Sequence, residues 1–431
     1  MADKKISLTT QILMAMLLGA IFGILLNVFA ENSGWIQNFV VDGALGVVGA
    51  VFIAALKMMV VPLVFVSLVC GVTNMGDMSA LGRIGGKAFG IYIITTAIAI
   101  SIALLLASVV SPGAGFAITD VTVDFAARQA PPLSQVLIDL VPSNPVAALA
   151  RGEMLQIIVF ALLLGVAITA SGDRGRYVLD IFTGLNSVIM QMVWIVVRIA
   201  PAGVFCLIAR TFSTEGVEAF IPLAKYFLCV VAALIVHGIV TYSLLLKVVG
   251  KLNPVTFFVK MRAAQLFAFS TASSNATIPI TLQSVTNRLG ADNGVASFTV
   301  PFGATINMDG TAIMQGVATV FIAQVYGVDL GLGDFLAVIL TATLASIGTA
   351  GVPGVGLIML AMVLQQVGLP VEGIALIIGV DRLLDMMRTA VNITGDAAAT
   401  CVIARSEGCL DAAVFTDPAA GLTSSKEPLK V

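Results

Sequence analysis

The chain has 431 residues, 59% of them hydrophobic and only 11% charged, with 22 basic and 24 acidic side chains and a net charge of −2. Soluble domains carry about 25% charged residues, so this composition excludes a soluble enzyme, and the lack of any basic excess excludes a nucleic-acid binder. What remains is an all-α polytopic membrane protein.

A membrane-crossing helix needs about 20 apolar residues. Apolar runs occur in chain order at residues 8–29, 45–72, 88–110, 154–170, 178–209 and 220–249. Residues 42–49 and 74–87 read as short connectors, and 112–145 as a longer Pro-rich loop. Lys4 and Lys5 precede the first run, but that run is too long for a signal peptide and no small-residue cleavage site follows, so it is expected to be retained. Basic residues mark alternate loops: Lys4/Lys5, Arg83/Lys87, Arg174/Arg176 and Lys247/Lys251/Lys260/Arg262. The intervening loops carry Glu31/Asp42, Asp120/Asp124 and Glu215/Glu218, with Arg128 as the exception. By the positive-inside rule both termini are expected in the cytoplasm, in a cell's inner (plasma) membrane.

The second half departs from simple crossings. Residues 263–286 have cytoplasmic-type charge on both flanks, and their centre, Phe269–Pro279, is rich in Ser, Thr and Asn. That pattern predicts a re-entrant hairpin. An apolar stretch at 296–325 is interrupted by Asn307-Met308-Asp309-Gly310-Thr311. Residues 335–367 lie between Asp329/Asp334 and Glu372, and break at Ile347–Gly356, which predicts a second hairpin entering from the opposite face. Opposed broken elements are how inverted-repeat transporters surround a midplane site. A fainter echo joins Val60–Phe65 to Ile199–Phe205.

The last apolar segment carries Asp381, Asp385, Arg388, Asn392 and Asp396, at offsets of three and four that place all five on one helical face. Exposed to lipid, the four charges would together cost on the order of 10 kcal/mol, so the stripe must face a polar interior. Surplus carboxylates beside backbone freed by broken helices suit hard monovalent cations. Arg388 offers a planar fork to a carboxylate, and Asp385, one turn earlier, a counter-charge to an ammonium. A substrate bearing both groups, co-bound with cations, is the reading these residues favour.

Other features point elsewhere and are weaker. His237, the only histidine, reads as a packed side chain, and the five cysteines and 17 methionines as packing material. The Gly-rich stretch 348–356 lacks the Gly-Lys-Ser/Thr ending of a phosphate loop, which disfavours an ATP-driven pump. An intramembrane aspartyl enzyme built on Asp309 with Asp385 or Asp396 would leave Arg388 and the paired hairpins without a role. A passive anion channel is the further rival. Residues 411–431 read as a disordered cytoplasmic tail.

From about residue 8 to 407 the sequence resembles the glutamate transporter family, the dicarboxylate/amino acid:cation symporters. The resemblance rests on the serine-rich hairpin, Asn307–Thr311, Ile347–Gly354 and the series Asp381, Asp385, Arg388-Thr389, Asn392, Asp396. It implies eight transmembrane helices, two re-entrant hairpins and a homotrimeric elevator, not an enzyme. Scaffold helices would occupy 8–73 and 134–212. The moving transport domain would take helices at 83–112 and 220–250 with the core at 254–408, leaving 411–431 as the tail.

By the same resemblance, Arg388 would bind the substrate's distal carboxylate and Asp385 its amino group. Ser274, Thr311 and Asn392 would complete the pocket, with Ser273 and Thr389 beside them and Val352 and Gly356 acting as lid. No cofactor is implied beyond sodium as coupling ion. One sodium would use Asp396, Asn392, Gly303 and Asn307, and another Asp309, Asn307, Tyr92, Thr95 and Thr96. A third would sit among carbonyls of Thr305, Met308, Ser346, Ile347 and Thr349. Asp385 favours an amino acid over a plain C4-dicarboxylate, and Arg388 an acidic side chain over a neutral or cystine-like one. Gln315 stands where proton-coupled animal relatives carry glutamate, which favours sodium. Ala272 and Met386 are neutral where many relatives place one more arginine.

Overall fold

The structure, a computed structural model, describes residues 8–30, 33–73, 81–115, 141–216, 220–347, 349 and 351–421. Lys4, Lys5, Glu31, Glu218, most of the Pro-rich loop, the first residues of the expected 134–212 segment, Gly348, Ala350 and the tail beyond 421 lie outside the described residues. The described chain is helical, with a single isolated β-bridge between Ala291 and Leu410.

Helix α1 spans Leu8–Ala30, and α2 spans Gly46–Thr73 as the continuation of a π-helical segment, Ile36–Leu45. The second rod therefore begins about ten residues earlier than its apolar run predicts. Asp42, in the expected connector, is carried on the helix and accepts a hydrogen bond from Arg210 at 3.1 Å. Helix α3 is Leu81–Val110, α4 Pro145–Arg151 and α5 Met154–Ala170. The fifth apolar run splits into α6 (Asp173–Arg198) and α7 (Ala200–Glu215), because Pro201 cannot donate within the ladder and starts a new helix. Helix α8 (Phe220–Val236) continues through π-helical turns at His237–Thr241 and Leu245–Val249.

The second half is assembled from broken pieces. Helices α9 (Pro254–Thr271) and α10 (Ser274–Gln283) pack against each other across a break at Ala272, which takes left-handed φ 50°. Helix α11 (Asn293–Ile306) and α12 (Asp309–Val325) are separated by extended Asn307 and by non-helical Met308. Helices α13 (Leu332–Ser346) and α14 (Val355–Gln366) flank the Gly-rich break, and α15 (Ile374–Ser406) runs for 33 residues. A short α16 (Ala412–Thr416) follows.

Four stretches among the described residues are long and apolar enough to cross a membrane: Thr10–Phe29, Ile36–Cys70, Arg83–Val110 and Ile221–Val249. The other helices miss that standard for visible reasons. Helix α6 carries Asp173, Arg174, Arg176, Asp180 and Arg198, α12 and α14 are short, and α15 holds the buried charges. Outward-facing Phe29, Leu105 and Val109 are 81%, 69% and 78% exposed, an apolar surface suited to lipid. The chain is a multi-pass, all-α membrane protein.

Packing divides the helices into two groups. Helix α1 lies along α7, with Gly19 and Gly23 against the Phe205 and Ala209 backbone, while α2 packs on α5, α6 and α7. The second group is centred on α12, which is buried along nearly its whole length and touches α3, α8, α13, α14 and α15. The groups meet where α14 touches α2 and where α15 touches α1 and α7.

Contacts at the helix ends order this second group. At one end Glu407 binds Lys87 and Arg83, which together hold its carboxyl below the usual range, the Lys87 hydrogen bond foremost. Seven residues beyond Glu407, Val414 O accepts from the Lys260 ammonium, which also donates to Arg288 O, both at 2.7 Å. At the other end, Gly113 N donates to Gln324 Oε1 at 2.8 Å, and Gly373 lies against Ile322. The expectation of a disordered tail from 411 fails for residues 411–421: Asp411 N bonds Gly290 O, Phe415 is buried, and Lys260 grips Val414.

Candidate functional site

The helix breaks converge on one polar region. Ser273 caps α10 through Ala276 N and also donates to Gly351 O at 2.7 Å, while Asn275 N donates to the same carbonyl at 3.1 Å. The tip at 272–275 thus touches the tip at 351. Below the contact lies a small cavity lined by Ser274, Met308, Thr311, Thr349, Val352, Gly356, Asp385, Thr389 and Asn392, among others. Seven of the nine residues expected to contact substrate reach this cavity. Ser273 does not line it, because its hydroxyl is committed to the tip contact. Arg388 lies just behind Gly356: a methyl group built on that glycine would be 3.3 Å from Nη2.

Arg388 is fully buried, and its fork is filled from within the protein. Nη1 donates to Asp381 Oδ1 at 2.6 Å and Nη2 to Asp385 Oδ1 at 2.9 Å, leaving Nε without a partner. A carboxylate ligand would share the guanidinium, which has five N–H donors, with these internal acceptors. Asp385 Oδ2 accepts from Gly354 N at 3.2 Å and faces Arg382 Nη1 at 3.6 Å. Thr389 bonds back to the Asp385 carbonyl, and Asn392 Oδ1 accepts from Gly310 N at 2.7 Å, tying α15 to the start of α12.

Beside the cavity sit two further buried carboxylates. Asp309 accepts from Thr96 Oγ1 at 2.6 Å and Tyr242 OH at 2.9 Å, and lies 3.1 Å from His237 Nε2. Tyr92 and Thr95 pack nearby, but their hydroxyls bond to Thr299 O and Tyr92 O, so of the three expected hydroxyls only Thr96 reaches Asp309. Asp396 Oδ1 accepts from Asn307 Nδ2 at 2.8 Å. Gly303 faces it so closely that a methyl group there would lie 2.4 Å from Asp396 Oδ1 and 2.8 Å from the Tyr92 hydroxyl. Thr305 and Ser346 turn their hydroxyls to carbonyls in their own helices, Thr349 to the preceding helix, and Ile347 is the extended C-cap of α13. Gly351 lies against Ala304 O, which brings the 347–351 break onto the end of α11.

The donor set fits a hard cation. Asn307 Oδ1 is buried with no hydrogen-bond partner, and a helix C-terminus such as that of α11 leaves its last carbonyls without intrahelical donors. Asp309, Asp381, Asp385 and Asp396 outnumber Arg382 and Arg388, so the region is rich in carboxyl oxygens. Among the described residues no three His, Cys, Asp or Glu side chains form a transition-metal cluster.

Three participants were not among the expected site residues. His237 is packed, as its position suggests, but it also contacts Asp309 and stands edge-on to Tyr242 with ring centroids 4.8 Å apart. A five-residue spacing falls off one face of an α-helix; the π-helical turn at His237–Thr241 realigns it. Tyr242 escaped notice for the same reason. Arg382 was legible: it lies three residues before Asp385 on a helix, a spacing that pairs side chains.

Residues 8–406 match the family model described as the sodium:dicarboxylate symporter family. The chain is 37% identical over 425 residues to the proton/glutamate-aspartate symporter of Escherichia coli (strain K12), covering 95% of each chain. It is 35% identical over 413 residues to the proton/sodium-glutamate symport protein of Geobacillus stearothermophilus, covering 94% of this chain and 96% of that one. Identity to the C4-dicarboxylate transport protein of Bacillus subtilis (strain 168) is 33% over 435 residues, covering 97% and 98%.

Proposed function

The chain belongs to the sodium:dicarboxylate symporter family, and on that premise we propose that it carries aspartate or glutamate into the cell, driven by an inward flux of sodium. It is a secondary transporter of an acidic amino acid, not an enzyme. The observation that carries this reading is the placement of Asp385 beside buried Arg388, at a polar cavity covered by two helix-break tips. An acidic amino acid supplies the complement: its distal carboxylate to Arg388, its ammonium to Asp385, and its remaining polar atoms to Ser274, Thr311, Thr389 and Asn392. Val352 and Gly356 belong to the lid, and Ser273 fastens it to the opposite tip.

Sodium as the coupling ion is supported by the partnerless Asn307 oxygen and the wealth of carboxyl oxygens. Asp396, Asn307, Asn392 and Gly303 would hold one ion, and Asp309 with Thr96, Asn307, Tyr92 and Thr95 another. Carbonyls of Thr305, Met308, Ser346, Ile347 and Thr349 would hold a third as the lid closes. The relatives are named for proton as well as sodium coupling, so the test separates the two.

An elevator of eight spans and two opposed hairpins in the inner membrane, with cytoplasmic termini, accounts for the architecture. It is supported by the end contacts. The outer ends of α9 and α10, with Lys260 and Arg288, lie with the tail, whereas α14 leads to Gly373 beside Ile322 at the α12–α3 end. The outer helices α1, α2, α5, α6 and α7 would be the scaffold, and α3 with α8 to α15 the moving unit. A homotrimer through the scaffold is supported by exposed Asp180, Thr183, Ser187 and Gln191 at three- and four-residue spacing on α6, a row unsuited to lipid.

The test is uptake of labelled aspartate by proteoliposomes under a sodium gradient alone or a pH gradient alone. Uphill accumulation under the sodium gradient is expected. No accumulation of any acidic amino acid under either gradient overturns the reading, and accumulation driven only by the pH gradient replaces sodium with protons. A carrier of C4-dicarboxylates is the second reading, favoured by the Bacillus subtilis relative's name; labelled succinate taken up in preference to aspartate would establish it.

A further inference from the structure

Asp385 forms a wall common to two cavities. One is the polar cavity beneath the tips. The other lies between the two helix groups and is lined by Ile12, Phe52, Leu56 and Val204 on one side and by Leu357 and Arg382 on the other, with Asp381 and Asp385 at its edge. Among the described residues, Arg382 is the only cationic one lining this otherwise largely apolar cavity, and its side chain is 12% exposed.

The two oxygens of Asp385 are held differently. Oδ1 takes a 2.9 Å bond from Arg388, whose guanidinium is fully buried and anchored a second time on Asp381. Oδ2 has only longer partners, Gly354 N at 3.2 Å and Arg382 Nη1 at 3.6 Å, the latter beyond hydrogen-bond length. An incoming cationic group can therefore displace a partner from Oδ2 far more readily than from Oδ1. Arg382 is the partner that can leave, because its contact with Oδ2 is beyond hydrogen-bond length and its side chain borders the adjoining cavity.

We propose that Arg382 is a positioning and specificity residue that neutralises Asp385 in the empty site and is exchanged for the substrate's ammonium on binding. This rests on the acidic amino acid reading above. Two opposite consequences follow from charge. For a ligand with an amine, Arg382 is a competitor, and removing it strengthens binding. For a dicarboxylate without an amine, Arg382 supplies the missing positive charge, and removing it leaves Asp385 repelling the ligand. A purely structural role would weaken both ligands together.

The experiment uses the full chain in proteoliposomes. It measures the half-saturation concentration of aspartate and the inhibition constant of succinate against aspartate uptake, for the wild type, Arg382→Gln and Arg382→Lys. The ratio of succinate constant to aspartate constant is expected to rise about tenfold in R382Q, the size of a single partly screened charge contact, and to stay near the wild-type value in R382K. An unchanged ratio in R382Q, an R382K ratio equal to that of R382Q, or a wild type insensitive to succinate overturns the proposal. Arg382→Met, which suits the apolar cavity wall without a charge, decides by the same ratio where Gln is not tolerated. Failure of the wild type to take up any acidic amino acid overturns the transport reading instead, so the two failures are distinct.

Discussion

Gly303 shows how tightly the proposed cation region is built at the level of single residues. Its missing side chain leaves the space that Asp396 Oδ1 and the Tyr92 hydroxyl occupy. Gly303→Ala would force a methyl group into that space, and overpacking of this kind costs about 1–3 kcal/mol. The expected outcome is a right-shifted sodium dependence of uptake, with the maximal rate approached at high sodium. A sodium titration superimposable on the wild type would remove Gly303 and its neighbours from the cation site. Legibility at this scale followed helix geometry. The spacing of Asp385, Arg388, Asn392 and Asp396 placed them on one face, and all four are buried at the site. His237 and Tyr242 were hidden because a π-helical turn changes which residues face each other.

At the level of elements, the broken helices and their anchors carry the design. Lys260 on α9 is almost fully buried and joins two segments distant in sequence by donating to Arg288 O and Val414 O. Lys260→Met keeps the stem but leaves two carbonyls without their charged donor, a loss of about 3–6 kcal/mol for two hydrogen bonds to a charged group. Hydrogen exchange at Asp411–Thr416 is expected to accelerate relative to the centre of α12. Equal protection in the variant and the wild type would show that the tail is held by other contacts. The tail's attachment could not be read from its sequence, since Ala412–Thr416 is short and weakly apolar and its partners lie more than a hundred residues away. The interruption of the fifth run was announced by Pro201, and the helix breaks at 272, 307–308 and 347–354 by their Ser, Asn and Gly content.

At the level of the whole molecule, the two helix groups meet over a limited surface of α14 and α15 against α1, α2 and α7. Gly379 on α15 lies against Ile208 on α7, with a built methyl group 2.6 Å from Ile208 Cδ1. If one group slides past the other, bridging this contact must stop transport. Cysteines at Gly379 and Ile208, in a chain whose five native cysteines are replaced, are expected to cross-link with mercuric ion and lose nearly all uptake, restored by excess thiol. Full uptake by the cross-linked protein would exclude sliding at this surface.

Composition alone determined the class of the protein, because 59% hydrophobic residues with 11% charged cannot be folded into a water-soluble shell. Helical periodicity determined the acidic and basic stripe, because a spacing of three and four is a property of the local ladder. Only the tertiary structure decided what those charges do to one another. Whether Arg388 stands open or is filled by Asp381 and Asp385, which carboxylate His237 contacts, and which arginine faces Asp385 Oδ2 all depend on how separate helices pack. Electrostatic partnership falls off within a few ångströms, and no local pattern in the chain specifies distances that short between residues so far apart.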